Sequence, residues 1–152
     1  MIPLRRLRSV LSISIAAFLA LGARAASPSH VQASLVAADT SVQPGHAFTV
    51  ALRLVHETHW HTYWLNPGTG LATALTWHLP ERWTAGEIQW PAPVVLKDHT
   101  GAVVGNGYEG EALLLVTLTP PAALSTSAMV DLKADAEWLM CSDVCIPGSG
   151  SV

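Results

Sequence analysis

The chain has 152 residues, half of them apolar, and a formal charge of −3. Four of its eight basic residues lie before position 26, so the 127 residues that follow set four cations against eleven acidic side chains, a net −7. That sign argues against nucleic acid or an anionic lipid surface as a partner, and the length suffices for one domain with a real core.

Arg5, Arg6 and Arg8 precede an apolar run from Val10 to Gly22, and Ala23-Arg24-Ala25 offers small residues where a signal peptidase reads them. Residues 1–25 therefore have the pattern of a secretory signal peptide cleaved before Ala26. The apolar run is short for a membrane span. In the oxidising compartment to which such a leader delivers a protein, two cysteines pair unless something keeps them reduced.

The remaining chain alternates as strands do. Val31 to Ala37 predicts a first strand, Gln43-Pro44-Gly45 a turn, and His46 to Val55 a second strand with Phe48, Val50, Leu52 and Leu54 on one face. His59 to Leu65 is aromatic and β-prone until Asn66-Pro67-Gly68 breaks it, and Thr73 to Leu79 follows as a strand holding Trp77. Glu87 to Trp90 is a short segment. Lys97 to Gly110, with its glycines, reads as a long loop or loose hairpin. Ala112 to Thr119 is apolar on both faces, as in a central strand. The clearest pattern comes last: Val130, Leu132, Ala134, Ala136 and Trp138 point one way, and Asp131, Lys133, Asp135 and Glu137 the other. Continuing it puts Met140 on the core side and Cys141 on the wet side. No stretch shows a convincing helical period. About seven short strands predict an all-β, antiparallel β-sandwich over residues 26–147. Gly148 to Val152 reads as a flexible tail, cut before a further domain.

The chemistry sits at the end of the last strand. Cys141 and Cys145 are the only cysteines, with Ser142-Asp143-Val144 between them. Residues four apart on a strand are roughly 13 Å from each other, whereas a disulfide needs Cα atoms within about 7 Å. If they pair, the chain must turn between them, and Ser142-Asp143 suits a turn. So short a loop adds little chain-entropy stabilisation. A structural staple is one reading and a redox-active pair the other. Asp143, by like-charge repulsion, opposes thiolate formation nearby.

His59-Trp60-His61-Thr62-Tyr63-Trp64-Leu65-Asn66-Pro67-Gly68, Trp77-His78-Leu79-Pro80, Trp90-Pro91, Gly107-Tyr108-Glu109-Gly110 and Trp138-Leu139-Met140-Cys141 to Cys145-Ile146-Pro147 run in one order along the chain. In this it resembles the N-terminal periplasmic domain of the DsbD/ScsB thiol:disulfide interchange proteins. The resemblance implies an immunoglobulin-like sandwich in the periplasm, tethered to the inner membrane by a domain that should follow Val152. It implies catalytic roles for Cys141 and Cys145. The pair would be reduced by the membrane-embedded domain of the same polypeptide and would pass electrons to periplasmic thioredoxin-like oxidoreductases, with no cofactor. It also implies Trp60, Tyr63 and Tyr108 as neighbours of the cysteines. Three residues separate the cysteines here, as in the ScsB-like branch, which is associated with copper tolerance, and the loop that caps the disulfide in other members offers only Tyr108.

Two other chemistries compete. His56, His59 and His61 with the cysteines would supply donors for zinc or copper(I), but the spacing follows no common zinc order and no metal site is expected. A Cys-His hydrolase would lose its nucleophile to oxidation. The alternative of a different class is a non-catalytic sandwich, a binding or copper-handling module with a structural disulfide. The tryptophans read as inter-sheet packing.

Overall fold

The computed structural model describes residues 29–124 and 129–152; the predicted leader lies outside them. Ten strands form two antiparallel sheets, and no helix occurs among the described residues. The first sheet contains β1 (Val31–Ala37), β2 (Phe48–His56), β8 (Glu111–Thr119) and β5 (Thr84–Ala85), in the order β1-β2-β8-β5. The second contains β3 (His61–Gly68), β4 (Ala74–Trp77), β6 (Val94–Lys97), β7 (Val103–Glu109), β9 (Ala134–Cys141) and β10 (Cys145–Ser151). Its order is β10-β9-β3-β7-β6, with β4 also paired to β9. This is the predicted immunoglobulin-like sandwich.

Its core is the meeting of the two inner faces. Leu52 and Leu54 on β2 and Leu114 on β8 face Ala136, Trp138 and Met140 on β9, all buried, with Trp60, Trp64 and Trp90 packed around them. A second cluster of Val50, Val116 and Leu118 extends it toward Trp77 and Leu132. At one end His56 ties the sheets together: its Nδ1 is 2.8 Å from the Gly110 carbonyl and its Nε2 2.9 Å from Thr62 Oγ1.

The structure decides one open reading of the sequence and corrects two others. Val94–Lys97 and Val103–Glu109 form a true hairpin, closed by Asp98, whose carboxylate accepts from the backbone N–H groups of Thr100 and Ala102 at 2.8 and 3.0 Å. Gly107 makes its pairing with β3 possible, since a Cβ there would collide with the Thr62 carbonyl. Glu87 to Trp90 contributes only a single bridge, Gln89 to Leu115. Gly148 to Val152 is no flexible tail. It continues β10, in register with β9 from Cys145–Cys141 to Ser151–Asp135, and Val152 and Ala134 exchange two backbone hydrogen bonds of 2.9 Å. One of the glycines that suggested flexibility, Gly148, is what the Trp138 indole requires. Gly148 lies directly opposite Trp138, and a Cβ on it would strike the ring. The chain is bare there because the neighbouring strand's side chain fills the space.

Candidate active site

Strand β9 delivers Cys141 at its last position, Ser142-Asp143-Val144 turns, and β10 begins at Cys145, so the two cysteines face each other across the ladder. They form a disulfide with Cα atoms 4.1 Å apart. The sulfurs belong to opposite environments. Cys141 is 1% exposed, in a small apolar cluster with Tyr63 and Leu96 that Val104 and Leu139 flank. Cys145 is exposed. Alternation placed Cys141 on the outer face correctly, because Trp138 and Met140 fill the inner one. That face is nevertheless not wet at Cys141, since β3, β6 and β7 lay side chains over it.

The disulfide closes one side of an open cleft of about 560 Å³. His61, Tyr63 and Glu109 line its floor, and Lys97, Asp98 and His99 from the β6–β7 turn line the opposite wall. His61 is opposite Cys141 on one side and Glu109 on the other. Directly opposed residues in antiparallel strands share a face. Cys145, Cys141, His61 and Glu109 therefore stand in a row across β10, β9, β3 and β7. His59, with φ 70°, makes the turn into β3 that sends Trp60 to the core and His61 to this row. Tyr63, two residues on, sets its ring edge-on to His61, with its hydroxyl 3.4 Å from Nε2.

The model of the N-terminal family of "Thiol:disulfide interchange protein DsbD" matches residues 30–152. The chain belongs to that family. Among solved structures, the N-terminal periplasmic domain of ScsB from Proteus mirabilis matches with a TM-score of 0.58 at 23% identity, over 82% of this chain and 45% of that one. At that identity the likeness establishes the fold, and the chain spans less than half the length of its match. No curated protein matches the sequence. Family and geometry together make this a thiol:disulfide exchange domain with its disulfide at Cys141–Cys145.

Of the three aromatic neighbours that the DsbD resemblance implied, the structure brings Tyr63 to the cysteines and places two elsewhere. Trp60 packs on the main core and stacks on His30, ring centroids 3.8 Å apart. Tyr108, paired with Thr62 rather than with His61, points between the sheets, where its hydroxyl donates to the Pro91 carbonyl at 2.9 Å. Burial pushes its phenol up to about 12. Tyr108 therefore does not cover the disulfide. The wall facing Cys145 comes instead from the β6–β7 turn, which the sequence offered as part of a long loop or loose hairpin. His56, on the first sheet, reaches Thr62 on the inner face of the second, whereas His61 takes the other face of β3, and no three His, Cys, Asp or Glu side chains converge as a metal site among the described residues.

Burial holds both histidines below their ordinary value of 6.5. At His56 the hydrogen bond to Gly110 and the Glu109 charge oppose it; at His61 the Glu109 charge opposes it and His56 reinforces it. A depressed histidine binds its proton more readily in the unfolded chain, so its stabilisation is complete above the unfolded value and is lost as the pH falls. The domain's melting temperature is expected to be level above about pH 7 and to fall between about pH 6.5 and 5. Thermal scans across that range check this; a melting temperature that climbs on acidification contradicts it.

Proposed function

We propose that this domain relays electrons in the periplasm. A membrane-embedded reductase domain reduces the Cys141–Cys145 disulfide, and the resulting dithiol reduces periplasmic thioredoxin-like oxidoreductases. The observation that carries the reading is the asymmetry of the disulfide: both cysteines line the cleft, but Cys145 is exposed and Cys141 is 1% exposed. Exchange proceeds by thiolate attack through a mixed disulfide, and access decides which sulfur takes part. Cys145 meets the partner and Cys141 resolves. The leader-like residues 1–25 and the periplasmic location of the ScsB domain support the compartment; the inner-membrane tether follows from the family.

A relay must open its disulfide without losing its fold. The β9–β10 ladder continues for six further residue pairs beyond the cysteines, and the bond closes too short a loop to contribute much chain entropy. Mild dithiol reductant is expected to reduce the pair while the melting temperature falls by less than about 10 °C, roughly 2 kcal/mol for a domain of this size. A larger fall would make the bond a structural staple, as the binding-module alternative requires.

A further inference from the structure

We propose that His61 is the proton acceptor for Cys141 in the resolving step, with Glu109 completing a carboxylate–imidazole–thiol row across the sheet. The inference rests on the exchange function proposed above and assigns the group that makes the shielded thiol reactive.

The problem it answers lies in the burial of Cys141. A thiol must become a thiolate to attack, and an apolar surrounding opposes that ionisation. With only Tyr63, Leu96, Val104 and Leu139 about it, Cys141 has no charged neighbour in its own cluster. Its lateral neighbour across the ladder is His61, on the same sheet face and lining the same cleft. Beyond His61 in the same row stands Glu109, which is exposed and so joins the imidazole to solvent. Tyr63 Oη near Nε2 fixes the ring from the strand's own side.

The ionisable group facing His61 is Glu109 on β7, with His56 from β2 acting on it through the sheet; burial and His56 keep the imidazole neutral near pH 7, against the pull of Glu109. At the cleft mouth stand His59, Lys97 and Asp98, with His99 and Asp143 3.9 Å apart across it. A neutral imidazole can take a proton, which an imidazolium cannot.

Cys145 thiolate attacks the partner's disulfide, forming a Cys145–partner bond and expelling one partner thiolate. The Cys141 thiol gives its proton to His61 and its sulfur attacks Cys145 Sγ. The Cys141–Cys145 bond forms, the Cys145–partner bond breaks, and the second partner thiolate leaves. Two electrons pass to the partner, whose thiolates are protonated from solvent, and the imidazolium returns its proton to water past Glu109. In the reverse direction His61 protonates Cys141 as it leaves.

Stopped-flow reaction of the reduced chain with 5,5′-dithiobis(2-nitrobenzoate) separates the steps. The first thionitrobenzoate reports attack by Cys145, and the second reports resolution by Cys141. In the wild type the second phase is expected to be nearly level between about pH 7 and 8. In His61→Phe and His61→Gln it should slow by about a hundredfold at pH 7, the low end of what a positioned base contributes, and climb about tenfold per pH unit. The first phase should stay within about threefold. Glu109→Gln, at an exposed position, should move the wild-type inflection to lower pH. A second phase within about threefold of wild type in all three variants overturns the proposal, as does equal slowing of both phases, which would mark a merely structural role. If the wild type releases no second thionitrobenzoate, the exchange function itself fails. The Glu109→Gln inflection remains a test if neither His61 variant folds.

Discussion

Replacing Cys141 with alanine is expected to turn a transient covalent intermediate into a stable one. Cys145 opens on the cleft and can still attack a partner's disulfide, but no thiol remains to release the mixed disulfide. Cells carrying Cys141→Ala should accumulate high-mass species on non-reducing gels that vanish with reductant. Cys145→Ala should accumulate few or none, because the remaining sulfur is 1% exposed and the apolar cluster of Tyr63 and Leu96 keeps partners from it. The double variant should trap nothing. Trapping by Cys145→Ala in preference to Cys141→Ala would reverse the assigned roles.

The second large effect concerns the tryptophan that holds the cysteine hairpin to the sandwich. Trp138 is buried among Leu52, Leu54, Leu114 and Met140 and lies against the bare backbone of Gly148. Trp138→Ala should cost about 3–5 kcal/mol, the usual range for emptying a large aromatic site in a core. Neither the facing β2 leucines nor the glycines of β10 can expand into the space. Trp138→Phe should cost markedly less. The indole Nε1 is buried without a hydrogen-bond partner among the described residues, so no polar contact is lost with it. Urea titrations of the two variants check the ranking, and equal losses would mean that the indole makes a contact the benzyl ring cannot replace.

What the sequence disclosed was whatever a single strand carries in its own alternation. Ala134, Ala136, Trp138 and Met140 read as inward-facing and are buried. Cys141 read as outward-facing and is, yet the burial of that outward position depends on Tyr63 and Leu96, far away in the chain. The last residues misled for a related reason. Gly148 and Gly150 lower strand propensity locally, and only the indole on the opposed strand explains why position 148 is a glycine. Asn106 and the glycines around it hid β7 in the same way, because Gly107 serves the close approach of Thr62 rather than a turn. The row Cys145–Cys141–His61–Glu109 was not legible at all. Its members come from four strands, and their adjacency is a matter of register, which local periodicity does not encode. His56, His59 and His61 stood close together in the sequence, but their spacing followed no common zinc order and carried no pointer to either cysteine.

The most direct test of the central claim is the reduction potential of the Cys141–Cys145 pair, measured by equilibrating the chain with mixtures of reduced and oxidised dithiol. A relay must accept electrons from one thiol system and surrender them to another, so its potential has to fall among those of thiol oxidoreductases. Structural disulfides of exported proteins lie below about −300 mV. For the wild-type chain at neutral pH the expected value lies clearly above that limit. A value well below it would rule out the relay and leave Cys141–Cys145 as a staple in a binding module.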